Sequence, residues 1–320
     1  MSHPGKPRAL LATLRIANAP SVVSNVFLGF LAAWVVRGGT WEEASRLPWL
    51  QIAGLSVAGL LLYFSGNLAN DWYDRKWDES RRPERALPSG LFRPGSYLTA
   101  SILCALLGIA LSFSESLVCG IAALGIALFV VIYTWSHKRS IWSVIPMGLC
   151  RAGLYFLGAG AVWSRHGHEM PDGGFGMLFI AAMLGVGLAS YIAGLSLSAR
   201  YEGMGDAPAG PRLISKGLLL LPLAFAAIYP GSIWGWIGIV PFVLWLALSV
   251  TRFGKPIPRY VSALLAGIPL VDLMSVTGLS SLLVRNLHES GSVVAVACLP
   301  LIPIVAFISG RALQKLAPAT

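Results

Sequence analysis

Residues 50–90 read LQIAGLSVAGLLLYFSGNLANDWYDRKWDESRRPERALPSG. The first half, residues 50–70, is apolar over the ~20 residues that a helix needs to cross a hydrocarbon core. The second half is densely charged. Asp71, Asp74 and Asp78 fall at i, i+3 and i+7, so on a helix they share one face, which Asn67 at i−4 extends and Asn70 flanks. The stretch from Pro83 to Gly90, with Pro88-Ser89-Gly90 at its end, predicts a turn back toward the membrane. The segment therefore predicts a membrane-spanning helix whose end carries carboxylates.

The rest of the chain repeats the apolar half. Ten runs are long enough to be candidate spans: 16–36, 50–70, 97–114, 117–135, 141–163, 176–199, 213–229, 233–251, 259–284 and 292–310. Pro230-Gly231-Ser232 leaves little room for a loop between the seventh and eighth, which makes the count nine to ten. The expectation is an all-α, polytopic bundle around a central cavity, forming one domain over residues 1–320. Composition agrees: 56% of residues are hydrophobic and 12% charged, with a mean hydropathy of +0.70, against about 25% charged in soluble domains. This excludes an ordinary soluble enzyme and a disordered chain. It also argues against a nucleic-acid partner despite the net charge of +10, because bases in so apolar a chain mark cytoplasmic loops. Cys104, Cys119, Cys150 and Cys298 form no CxxC pair, and the five histidines have no metal-ligand spacing. The first apolar run follows a polar N-terminus and is long enough to span, so no cleaved leader is expected.

With ten spans and the N-terminus inside, 19 of the 24 bases fall in cytoplasmic segments and 4 outside, with Arg151 within a span. Five of the 14 acids lie between Asp71 and Glu84, two more are Glu202 and Asp206, and Asp272 stands inside an apolar run. The two acidic loops follow even-numbered spans, so both face the cytoplasm.

Carboxylates on one helical face repel one another unless a cation lies between them. Hard divalent cations such as Mg²⁺ take oxygen ligands and commonly bridge carboxylates to phosphates. Arg75, Lys76, Arg81, Arg82 and Arg85 are interleaved with these acids, and guanidinium pairs bidentately with phosphate. Acids with arginines point to a metal plus a polyanion, whereas a solvated surface loop is the plainer alternative. Glu202 and Asp206, at i and i+4, allow a second metal on the same side, and two metals would clamp a leaving diphosphate.

Asn70-Asp71-Trp72-Tyr73-Asp74-Arg75-Lys76-Trp77-Asp78 resembles the NDxxDxxxD motif of the UbiA superfamily of intramembrane prenyltransferases at every fixed position. The segment Arg82-Pro83 to Gly90 is similar to that family's RPxRPLPSG tail, with Ala86 where proline is common. Tyr133-Thr134 followed by Lys138-Arg139 is similar to its loop between spans four and five, with tyrosine and lysine five apart instead of four. Arg151 has a polar or basic counterpart in many members. Glu202-x-x-x-Asp206 departs from the usual DxxxD by one longer side chain. Asn18, Pro20, Asn25, Arg200-Tyr201-Glu202 and Gly267 to Asp272 resemble the branch found in bacterial ebo-type gene clusters.

The resemblance implies a UbiA-like fold and Mg²⁺-dependent transfer of an isoprenyl chain from its diphosphate to a small aromatic or cyclic acceptor. It implies metal ligands at Asp71, Asp74, Asp78, Glu202 and Asp206. It implies donor contacts at Asn67, Asn70, Arg82, Arg85, Tyr133, Lys138, Arg151 and Arg200, with Asp71, Asp74, Lys138 and Asp206 closest to the chemistry. The implied location is the bacterial cytoplasmic membrane, with the lipid bilayer as surroundings. Two other readings differ in class. A CDP-alcohol phosphotransferase would need a DGxxAR lead, which is absent. A transporter would place its acids within spans and show an inverted repeat. Asp272 is the one deep acid, and such a group is functional by default. Its plainer role is a hydrogen bond to Ser275, Thr277 or a neighbouring helix.

Overall fold

The protein is described from a computed structural model covering residues 5–39, 47–201, 209–226, 233–285 and 297–317. The described residues contain helices and turns and no strand. A short α1, Lys6–Thr13, leads through the turn Ile16–Asn18 into α2, Ala19–Val36. The charged segment of the opening stretch is not a loop. It continues the second span as one helix, α3, from Trp49 to Arg81, since no proline or glycine stands between Asn67 and Arg82. The helix stops where Pro83 disfavours helical geometry at Arg82.

Four further helices follow: α4 (Pro94–Glu115), α5 (Leu117–Ser136), α6 (Val144–His166) and α7 (Phe175–Tyr201). Ser116 separates α4 from α5 by leaving helical geometry and accepting the Cys119 N–H at 3.1 Å. Beyond them lie α8 (Ala209–Leu220), α9 (Pro222–Ala226), α10 (Ile233–Thr251), α11 (Ile257–Ala266), α12 (Ile268–Arg285) and α13 (Leu301–Leu316).

Among the described residues, seven helical segments are long and apolar enough to cross a membrane, and Trp236–Thr251 is a shorter apolar helix. The run at 213–229 is broken at Pro222 into α8 and α9, because proline has no N–H to continue the helix. The run at 259–284 is interrupted at Gly267, where α11 gives way to α12. The run at 292–310 begins outside the described residues.

Buried α2 is the axis of the bundle. It packs against α3, α6, α7, α12 and α13, and Val22, Val26, Phe27, Leu28 and Leu31 have no exposed surface. Its crossing with α6 is backbone on backbone: a Cβ on Gly29 would collide with the Tyr155 carbonyl, and one on Gly158 with that of Val26. Small residues allow such close approach between membrane helices. In contrast, α4 and α5 leave Leu103, Leu106, Leu107, Ile121, Leu128 and Val131 exposed, the surface that lipid covers. A second small core of Ala9, Leu68, Ala86, Leu87 and Tyr97 pins the 82–93 segment over the end of α3.

Candidate active site

The last turns of α3 carry Asn67, Asn70, Asp71, Asp74 and Asp78. The i, i+7 relation holds in space, because Arg85 reaches both Asp78 Oδ2 at 2.9 Å and Asp71 Oδ1 at 3.4 Å. The pinned return segment delivers this guanidinium. Asp74 turns to another set of bases. Lys138 Nζ stands 2.7 Å from its Oδ1 and His137 Nε2 3.0 Å from its Oδ2, while Asn70 Nδ2 is 3.5 Å away. The Lys138 contact lies off hydrogen-bond geometry, so it is an ion pair without a directed bond. His137 Nδ1 faces the Thr134 carbonyl at 2.9 Å. Both ring nitrogens thus lie against oxygen atoms, one on α3 and one on α5.

The carboxylates are therefore divided between two basic clusters. Among the described residues, no three His, Cys, Asp or Glu side chains are gathered as a ready metal site. The donor chemistry nevertheless fits Mg²⁺. Asn70 Oδ1 is buried without a partner next to Asp71, and Asp71, Asp74 and Asp78 supply the hard oxygens this ion takes.

Two members of the site were not picked out from the sequence. His137 is one; its only sequence signal was its place beside Lys138. Arg15 is the other. It donates to Asn67 Oδ1 at 2.7 Å and stands 3.7 Å from Asp71 Oδ1. Its φ of 47° is left-handed, a conformation that costs a non-glycine residue about 1–3 kcal/mol. Asn67, which also donates to the Leu14 carbonyl at 3.0 Å, and Tyr63, which donates to the Arg15 carbonyl at 3.0 Å, hold it there. Burial works against the Arg15 charge, but Asp71 and its neighbours keep the guanidinium above its ordinary pKa.

A cavity of about 950 Å³ opens from this polar end. Asn67, Asn70, Asp71, Arg82, Arg85, Tyr133 and Arg151 all line it, as does Arg15. Its far wall is apolar, with Leu62, Ile126, Val130, Leu154, Leu195 and Leu265. Asp74, Asp78 and Lys138 stand behind the lining. Arg200 donates to the carbonyls of Ser140 at 3.1 Å and His137 at 3.3 Å, and so clasps the loop that carries Lys138. Glu202 and Asp206 lie outside the described residues.

Deep in the bundle, Asp272 is fully buried. Its partners are on other helices: Tyr155 at 2.6 Å, Ser24 at 2.5 Å, and Asn25 at 3.0 and 2.9 Å. Ser275 and Thr277 on its own helix are not among them. Asn25 Oδ1 accepts from Arg151 at 3.3 Å, and Arg151 also donates to Ser21 at 2.9 Å. A chain of polar groups thus links the buried carboxylate to a guanidinium on the cavity wall, over the Tyr63 ring at 5.0 Å.

The model of the UbiA prenyltransferase family fits residues 26–265. The digeranylgeranylglyceryl phosphate synthase of Methanosarcina mazei is 25% identical over 314 residues, covering 95% of this chain and 98% of that protein. The bacteriochlorophyll synthase 33 kDa chain of Cereibacter sphaeroides is 29% identical over 48% of this chain and 50% of its own length. In fold, the chain is similar to the apo structure of a UbiA homologue from Aeropyrum pernix K1, with a TM-score of 0.50 at 15% identity over 92% of this chain and 98% of that one.

Proposed function

The chain belongs to the UbiA prenyltransferase family, and on that premise we propose that it transfers an isoprenyl chain from its diphosphate to a small aromatic or cyclic acceptor inside the bilayer. The observation that carries the reading is the cavity that joins an aspartate–arginine end to an apolar wall. This is the polarity of an isoprenyl diphosphate. Asp71, Asp74 and Asp78, with Asn70, would hold Mg²⁺, and Glu202 and Asp206 would complete a second position. When bound, the ion supplies positive charge against the diphosphate oxygens.

The protein's own groups do the rest. Arg15, Arg82, Arg85 and Lys138 supply cationic donors to the phosphate oxygens, which gather charge as the C–O bond breaks and the diphosphate leaves with the electron pair. The apolar wall around Leu154 and Leu195 keeps water from the allylic cation. The acceptor then bonds to that carbon and gives up a proton. Tyr133 and Arg151 border the space left for the acceptor, and Arg200 acts through the 137–140 loop. The charge bias of the loops supports placing the diphosphate end at the cytoplasmic face.

The relative that matches nearly the whole chain is named for a glyceryl phosphate product. A prenylated glyceryl phosphate is therefore the second acceptor to test. Membranes containing the protein, supplied with Mg²⁺ and labelled geranylgeranyl diphosphate, should form a labelled lipid other than the donor. The Asp71→Ala, Asp74→Ala variant should lose this by roughly 10²-fold or more. Retained turnover in that variant would sink the metal assignment.

A further inference from the structure

Another group of bases plays no part in the diphosphate site. Between Ala207 and Val271 the sequence has no acid, and it has none after Glu289. These stretches hold seven bases: Arg212, Lys216, Arg252, Lys255, Arg259, Arg311 and Lys315. Two of them converge on one ring: Arg259 Cζ is 5.0 Å and Arg311 Cζ 5.7 Å from the centroid of Phe253, and Arg311 is also 5.1 Å from that of Trp245.

The platform is firmly built. Trp245 lies tilted against Phe253 at 5.8 Å, meets Phe307 edge-on at 4.9 Å, and donates its indole N–H to the Ala263 carbonyl at 2.8 Å. Arg311 donates to Gln314 at 2.6 Å, and Gln314 donates to the Ser262 carbonyl at 2.8 Å. Arg15, Arg85 and Lys138 each face an aspartate. Among the described residues neither Arg259 nor Arg311 has a carboxylate partner, and the Arg259 guanidinium lies over the Phe253 ring.

Two like charges sharing one ring repel each other, and an anion between them removes that cost. The planar guanidinium fork matches phosphate oxygens. The surroundings indicate where the phosphate comes from. Above the cluster, α10 turns Trp236, Val240, Val243, Leu244 and Leu248 outward, a surface for acyl chains. Exposed Arg252 and Lys255 mark its polar end, where basic groups attract anionic lipid. Ile257 and Pro258, just before Arg259, line the catalytic cavity together with Arg82, so the cluster stands beside the mouth.

We propose that Arg259 and Arg311, on the Phe253–Trp245 platform, bind the phosphate head group of an anionic bilayer phospholipid at the cavity mouth. The inference does not depend on which acceptor the protein uses.

The test uses the full chain, delipidated in mild detergent, with thermal stability and native mass spectrometry as readouts. Phosphatidylglycerol should bind and raise the melting temperature more than phosphatidylcholine. Arg259→Gln with Arg311→Gln should weaken that binding by roughly 30-fold, at about fivefold per base. Arg259→Gln alone leaves the Arg311–Gln314 bond in place and should show the single fivefold step even if the double variant folds poorly. Arg259→Lys should retain most of the preference. Equal binding of the two lipids, wild-type affinity in Arg259→Gln, or an equal shift from inorganic phosphate alone would each overturn the proposal.

Discussion

Arg15 combines two costs that its neighbours offset: a left-handed backbone and a half-buried charge. Substitution separates them. Arg15→Ala removes the guanidinium and keeps the strain, whereas Arg15→Gly removes both. Both should bind an isoprenyl diphosphate roughly 10- to 100-fold more weakly, as expected from losing a charge-assisted hydrogen bond. Thermal unfolding should show the glycine variant to be about 1 kcal/mol the more stable of the two. Equal stability would mean that the φ of 47° carries no strain. Asp272 gives the matching prediction in the core. Asp272→Ala leaves Ser24, Asn25 and the Tyr155 hydroxyl without their acceptor and removes the carboxylate that faces Arg151 across Asn25, and should cost about 3–5 kcal/mol, the usual result of breaking a buried charge network from one side. Adding Arg151→Met to Asp272→Leu should recover much of the loss, read as the melting temperature in detergent.

At the scale of elements, the crossing of α2 with α6 sets where Asn25, Tyr155 and Arg151 stand. Gly158→Ala forces the two backbones apart and should destabilise by about 1–3 kcal/mol, as overpacking does. Gly125→Ala is the control, because its Cβ would meet open space. Equal melting temperatures for these two variants would show that the crossing tolerates separation. The same scale explains what could be read in advance. The carboxylate spacing on α3 was legible because i, i+3 and i+7 are local relations that helical geometry carries directly into space. The partners of those carboxylates were not, since Arg15 lies 52 residues from Asn67 and His137 63 residues from Asp74. No local pattern records such a distance. The long runs also hid two interruptions. Pro222 and Gly267 sit within stretches apolar enough to count as single spans, and hydropathy does not register the missing N–H of one or the close approach of Tyr191 to the other.

For the whole molecule, the proposed function makes the cavity a ruler. If the aspartate–arginine end holds the diphosphate, the length of chain admitted depends on how far the apolar wall stays open. Leu195 on α7 lines that wall with Leu154 and Leu265, and it is 3% exposed. A larger side chain there narrows the space for the tail and leaves the Asp71 and Arg85 side chains themselves unchanged. Leu195→Trp should therefore leave transfer from geranyl diphosphate near the wild-type rate and lower transfer from geranylgeranyl diphosphate by at least tenfold, about 1.4 kcal/mol. Mg²⁺ dependence should stay the same for both donors, because the polar end is unchanged. Parallel assays of the two labelled donors in the same membranes measure the ratio. An equal fall for both would place the effect in folding or in the chemistry, whereas a selective loss of the longer donor would show that this wall sets the chain length.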